Sequence, residues 1–241
     1  MGNSWKNLHQ SICLVLCFFC CLNFLGAQNA QEVNIRGGLP NFFHKIQNGE
    51  PITIGYLGGS ITRAEGYRIL SADWLKEEYD NPNVSGINAG IGGTGSPLGV
   101  FRIQEGVLDN NPDLVFIEFA VNDGSPSNTS TIEKAMEGMV RQIWNDDPTT
   151  EICFIYTVKD DFLTDLQNDT YPTAAAAHDA VGAHYNIPSI HLGLEVAKMA
   201  ERGELIFEKS NGVDGDGYDE NGNLVFSKDG VHPTLAGHGL Y

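Results

Sequence analysis

Few side chains make good nucleophiles, and this sequence presents one of them, Ser60, in a setting that would expose it. The run 52–62, ITIGYLGGSIT, begins as β-branched apolar sequence and breaks at Gly58 and Gly59, after which Ser60 opens a new pattern. Ile52, Thr53, Ile54 and Tyr56 favour a buried strand, and paired glycines admit backbone angles that other residues resist. Beyond Thr62, the stretch 66–75 carries apolar residues at helical spacing, so Ser60 falls in a strand-to-helix turn. In an open parallel sheet, ligands bind outside the carboxyl ends of the strands, where a starting helix offers free N–H groups. A serine there suits nucleophilic attack; the same residues also read as a plain Gly-Ser turn that only joins two elements.

A residue held at a strand end needs a sheet to hold it, and the chain supplies the pattern of one. Candidate strands lie at 52–56, 84–88, 114–119, 152–157 and 187–190, with helical patterns at 66–79, 98–109, 132–144 and 173–185 between them. Such alternation implies right-handed βαβ units, hence a three-layer α/β/α domain with a flavodoxin-like, doubly wound parallel sheet of about five strands. With strand order 2-1-3-4-5, the first strand lies between the second and third. The loops carrying Gly58-Gly59-Ser60, Gly90-Ile91-Gly92-Gly93-Thr94 and Ala120-Val121-Asn122-Asp123 then converge at one switch point. A fourth block, Asp229-Gly230-Val231-His232-Pro233-Thr234, opens a further helix with Pro233 at its first position.

These four blocks together resemble the SGNH hydrolases, also called the GDSL-like esterase family, across nearly the whole chain beyond its N-terminal segment. The resemblance implies that Ser60 in GGSIT is the nucleophile, Gly93 in NAGIGGTG and Asn122 in AVND are oxyanion donors, and His232 in DGVHP is the base, with Asp229 orienting it. One departure is Gly59, where many members carry Asp; this leaves the nucleophile in place but bears on its supporting hydrogen bonds. The residue types also suit the chemistry directly. A serine hydroxyl becomes a useful nucleophile when imidazole takes its proton, and a carboxylate on the other ring nitrogen fixes the tautomer. The N–H groups of Ser60 and Gly93 and the Asn122 amide would stabilise the oxygen of a tetrahedral intermediate. The implied activity is that of a serine esterase working through an acyl-enzyme, with no metal and no cofactor. The GGSIT form and the N-terminal segment favour a carbohydrate O-acetyl esterase, with a lipase, lysophospholipase or thioesterase of the same family as alternatives.

Other readings compete for some of these residues. Residues 90–95 also satisfy G-x-G-x-x-G after a candidate strand, which would suit a dinucleotide-binding protein, but that reading leaves Ser60, Asn122 and the Asp229/His232 pair without a task. Asn122-Asp123 reads alternatively as a turn cap and His232 as a surface residue at a helix start. His44, His178, His184, His191 and His238 lack comparable partners and read as structural or exposed; Arg63 and Glu118 fall near the site without an assigned role. The Asp- and Gly-rich run 211–223 departs from the EF-hand pattern for calcium at Tyr218, and its Asn221-Gly222 pair predicts a hairpin turn leading to the Asp229 block.

The N-terminal 1–27 has the pattern of a secretory signal peptide: Lys6, an apolar run from Ile12 to Leu25, then Gly26-Ala27. The run is short for a membrane span, which takes about 20 residues. A lipid anchor at Cys20 or Cys21 would need small residues before them, where Phe18 and Phe19 stand. The expected location is outside the cytoplasm, secreted or periplasmic. Residues 28–241 read as one domain, whose lone Cys153 lies in an apolar strand and packs in the core. With 14 Lys and Arg against 31 Asp and Glu, and a net charge of −17, the chain lacks the basic face that nucleic acid or an anionic membrane requires. The partner expected is a small-molecule or polysaccharide ester. Leu235, Ala236 and Leu240 begin a C-terminal helix of about nine residues, and the absence of a capping glycine beyond it predicts that the natural chain continues past Tyr241.

Overall fold

The computed structural model describes residues 29–124 and 128–241; the signal-peptide and lipid-anchor segment lies outside the described residues. The chain runs through β1 (Val33–Asn34), α1 (Pro40–Gln47), β2 (Ile52–Gly58), α2 (Ser60–Arg63), α3 (Tyr67–Glu78), β3 (Val84–Gly90), α4 (Ser96–Gly106), β4 (Leu114–Glu118) and α5 (Ala120–Asp123). It continues through α6 (Ser130–Asp146), β5 (Glu151–Tyr156), α7 (Leu163–Gln167), α8 (Thr173–Tyr185), β6 (Ser189–His191), α9 (Leu192–Glu201), β7 (Ile206–Glu208), β8 (Val225–Ser227) and α10 (Leu235–His238).

The main sheet has the order β1-β6-β5-β4-β2-β3, which places β2 between β3 and β4 as a doubly wound sheet requires. The five longer patterns give the five parallel strands; a sixth, the two-residue β1, pairs antiparallel with β6 at the edge. Two residues offer no periodicity to read, so β1 has no sequence signature. Both faces are covered, one by a core that includes Phe42, Ile54, Tyr56, Phe162 and Phe226, the other by Leu57, Ile117, Phe119, Met136, Met139 and Phe154.

On the second face α6 shows how the sequence drives the packing. Its buried residues Ile132, Ala135, Met136, Met139, Val140 and Ile143 recur every three or four positions and form one apolar stripe. Each large apolar side chain so buried contributes roughly 1.5–3 kcal/mol. Cys153 is buried on β5, where burial pushes its thiol up to about 12, so it packs and does not react.

Register decides where the site forms. Gly58, the last residue of β2, pairs with Gly90 of β3 on one side and Glu118 of β4 on the other, so the three loops leave the sheet at one level. The fourth block stands on a separate two-stranded ribbon, β7 with β8, and the turn expected at Asn221-Gly222 joins Tyr218 to Leu224. The helix after His232 differs from its expected form. It spans Leu235–His238, and Thr234 is its N-cap, accepting from the Gly237 N–H at 3.0 Å, while Pro233 bridges to Ser227 outside it. A threonine hydroxyl that satisfies an orphan N–H is worth about 1 kcal/mol and outcompetes proline for setting the helix start.

Candidate active site

Ser60 is the first residue of the four-residue α2, directly after the Gly58-Gly59 break, so its own N–H has no intrahelical acceptor. Its Oγ lies 2.8 Å from His232 Nε2, and His232 Nδ1 lies 2.7 Å from Asp229 Oδ2. The Asp229 carboxylate only accepts, so Nδ1 carries the ring proton and Nε2 is free to take the proton of Ser60.

Asp229 owes its place to its other oxygen. Oδ1 accepts from the backbone N–H groups of Val231 at 3.0 Å and His232 at 2.8 Å, with the Ser227 hydroxyl at 3.0 Å. Burial pushes its carboxyl up, but the hydrogen bonds from the His232 ring and from these N–H groups outweigh it and hold the group well below the usual carboxylate range. The acid therefore stays ionised at neutral pH beside the imidazole.

The three strand-end loops are tied to one another. The Ile91 N–H donates to the Gly58 carbonyl at 3.0 Å, and the Asn88 amide donates to the Arg63 carbonyl at 3.1 Å, which seats the 91–95 loop against α2. The Asn122 carboxamide lies against Gly59 so closely that a Cβ on residue 59 would overlap its Oδ1. This explains the departure at Gly59: the space a side chain would fill is held by Asn122. Gly93 is needed for its backbone, φ being 72°, and a Cβ there would meet no atom, so the space beside it is open. Arg102 reaches under these loops, donating to the Ala89 and Gly58 carbonyls.

A further pair escaped the sequence reading. His178, read there as partnerless, places Nε2 2.8 Å from Asp123 Oδ2, and both side chains are buried. Asp123 Oδ1 also accepts from the Ser96 N–H at 2.9 Å, so one carboxylate joins the Asn122 turn to the loop that follows Gly93. The only sequence signal was the Asp beside Asn122; its partner lies 55 residues away on α8.

Of the remaining expectations, Arg63 packs over Gly92 and Glu118 is buried below the serine turn. His191 and His238 are buried in the core, and burial lowers the proton affinity of both. The acidic run 211–223 spends its carboxylates on turns: Asp214 Oδ1 accepts three backbone N–H groups, and Asp219 is met by two more and by Lys209. Among the described residues no group of three His, Cys, Asp or Glu is placed to hold a metal ion, and no helix is long and apolar enough to cross a membrane.

The site is open. The His232 and Asp229 side chains are 51% and 56% exposed. A cavity of about 470 Å³ lies elsewhere, walled by Leu70, Trp74, Phe116, Ile190 and Tyr241, and none of Ser60, His232 or Asp229 lines it.

The profile of the GDSL-like lipase/acylhydrolase family matches residues 52–240. Among solved structures, a two-domain esterase active on acetylated mannans, co-crystallised with mannopentaose, is 27% identical with a TM-score of 0.66; the match covers 84% of this chain and 50% of that one. This chain therefore spans about half the length of that esterase. A lipase/acylhydrolase from Enterococcus faecalis is 21% identical, TM-score 0.53, over 78% of this chain and 90% of that one. An acetyl xylan esterase is 17% identical, TM-score 0.56, over 78% and 94%. The latter two show the shared fold. A search of curated protein sequences finds no match. With the family profile running through all four strand-end and ribbon blocks, the chain is a member of the GDSL-like lipase/acylhydrolase family.

Proposed function

We propose that this chain is a carbohydrate O-acetyl esterase acting outside the cytoplasm, through an acyl-enzyme on Ser60. The observation that carries the reading is the hydrogen-bonded line from Ser60 Oγ through the His232 ring to Asp229, at 2.8 and 2.7 Å. In the first half-reaction Ser60 Oγ attacks the acyl carbon while His232 Nε2 takes its proton. The negative oxygen that forms is met by the N–H of Ser60, the N–H of Gly93 and the Asn122 amide. His232 then returns the proton to the departing sugar oxygen, leaving acetyl on Ser60. Water attacks that ester with the same base, releasing acetate and restoring the serine hydroxyl. The N-terminal pattern at 1–27 supports secretion.

Two features support carbohydrate over lipid. The site is open, which suits a bulky polymer bearing a small acyl group, and the apolar cavity does not open at Ser60, where a long acyl chain would need it. The likeness at 27% identity is to an esterase active on acetylated mannans. The test is acetate release from a panel of acetylated polysaccharides, mannan among them, set against hydrolysis of long-chain esters. Acetate release faster by at least tenfold is the expected result. Preference for the long chains would overturn the carbohydrate reading.

Asn122 and Gly59 give a linked prediction. Asn122→Ala should lower kcat on the order of 10² to 10³ with little change in KM, as for the loss of one oxyanion donor. Gly59→Ala should approach the same loss, because the new methyl evicts the Asn122 side chain. Combining the two should cost no more than the worse of them. Additive losses in the double variant would show that Gly59 acts on something other than Asn122.

A further inference from the structure

Glu118 is a carboxyl the reaction above does not use, and it is fully buried at the end of β4, 0% exposed. No lysine or arginine among the described residues pairs with it. Its partners are hydroxyls and one backbone group. Thr62 Oγ1 donates to Oε2 at 2.9 Å and Thr157 Oγ1 to Oε1 at 2.8 Å, while the Gly59 N–H approaches the same group. Tyr67 completes the line, its hydroxyl 2.9 Å from Thr62 Oγ1.

Two of these partners, Gly59 and Thr62, flank Ser60 in the chain, and Thr157 follows β5. The serine turn is folded tightly onto this carboxyl: a Cβ on Gly58 would overlap Thr62 Oγ1 and crowd the Glu118 carbonyl. A carboxylate only accepts, so it orders every proton around it. Thr62 must point its hydrogen at Glu118, which leaves its lone pair for Tyr67 to donate into. Burial pushes the Glu118 carboxyl up, and the hydrogen bonds from Thr157 and Thr62 oppose that push.

We propose that Glu118 is a positioning residue for the hydrolysis, a buried anchor that fixes the Gly59–Thr62 turn to the ends of β4 and β5 so that the hydroxyl and N–H of Ser60 meet the reacting carbonyl together. It does not touch substrate. The inference rests on Ser60 being the nucleophile. An amide in its place has the same shape but carries two hydrogens that must face a hydroxyl or the Gly59 N–H. One partner is then left mismatched, and the turn shifts by a fraction of an ångström.

The test uses the whole chain, a nitrophenyl acetate assay and fluorophosphonate labelling of Ser60. Glu118→Gln is expected to lower kcat about ten- to a hundredfold with KM within about twofold, and to slow labelling by the same factor, because both readouts depend on nucleophile geometry and only one depends on substrate. Thr62→Ser, which keeps the hydroxyl, should retain most of kcat, while Thr62→Val should follow Glu118→Gln. This pair keeps the proposal testable should Glu118→Gln fold poorly. Wild-type kcat in folded Glu118→Gln, or equal losses in Thr62→Ser and Thr62→Val, would overturn it, as would a raised KM with labelling unchanged. A wild-type chain that takes no label at Ser60 would sink the nucleophile assignment and this proposal with it; a labelled wild type beside an indifferent Glu118→Gln sinks this proposal alone.

Discussion

Alanine at position 60 is expected to lower kcat by about 10⁴ or more while leaving the fold intact. The serine side chain makes a single hydrogen bond, to His232, and that imidazole is half exposed, so water can replace the lost partner. A neutral hydrogen bond of this kind contributes about 0.5–1.5 kcal/mol, and alanine suits the first turn of a helix, so the melting temperature should move little. Catalysis has no such substitute. No other serine, threonine or cysteine side chain in the described residues is hydrogen-bonded to the His232 ring. What remains after the change is the oxyanion site acting on water alone. Activity above a tenth of wild type, in protein shown to be folded, would remove Ser60 from its assigned role.

The second large effect is expected for Asp229→Asn, a loss of about 10³ to 10⁴ in kcat. Oδ1 of the acid accepts from two backbone N–H groups, which can only donate, so the amide oxygen of asparagine must take that place. The amide nitrogen is then directed at His232 Nδ1, where the carboxylate had accepted. Two donors cannot share a hydrogen bond, so the imidazole moves its proton to Nε2 and presents N–H, not a lone pair, to Ser60. The base is disabled by its tautomer with its position unchanged. Asp229→Ala, which frees the ring to choose, should be no worse than Asp229→Asn. An asparagine variant within tenfold of wild type would show that the acid does not set the tautomer.

The strand-end blocks were legible in the sequence because a strand that stops at glycine writes its end plainly, and ordinary register then brings the ends of β2, β3 and β4 to one level. Gly58, Gly90 and the Ala120–Asp123 turn carried that information without any knowledge of contacts. What lies beneath the site was not legible. Glu118 and Asp123 find partners 39 and 55 residues away, and nothing local distinguishes a buried carboxyl from an exposed one. The reason for glycine at 59 was likewise hidden, since it is the side chain of Asn122 that excludes a Cβ there. Pro233 misled the reading of the last helix because proline at a first helical position is a common pattern, while the hydroxyl that sets the start belongs to Thr234.

The partition of the site between sheet and ribbon has a kinetic consequence. Ser60 and His232 are 172 residues apart, and among the described residues the ribbon of β7 and β8 that precedes His232 forms no ladder with the main sheet. Contacts so distant along the chain form late in folding, after loop-closure entropy has been met by other interactions. A refolding chain can therefore complete its parallel sheet, with the serine and its N–H donors in place, and still be inert. Recovery of esterase activity reports the docking of the ribbon, and far-ultraviolet ellipticity, which reports the sheet and helices, returns ahead of it.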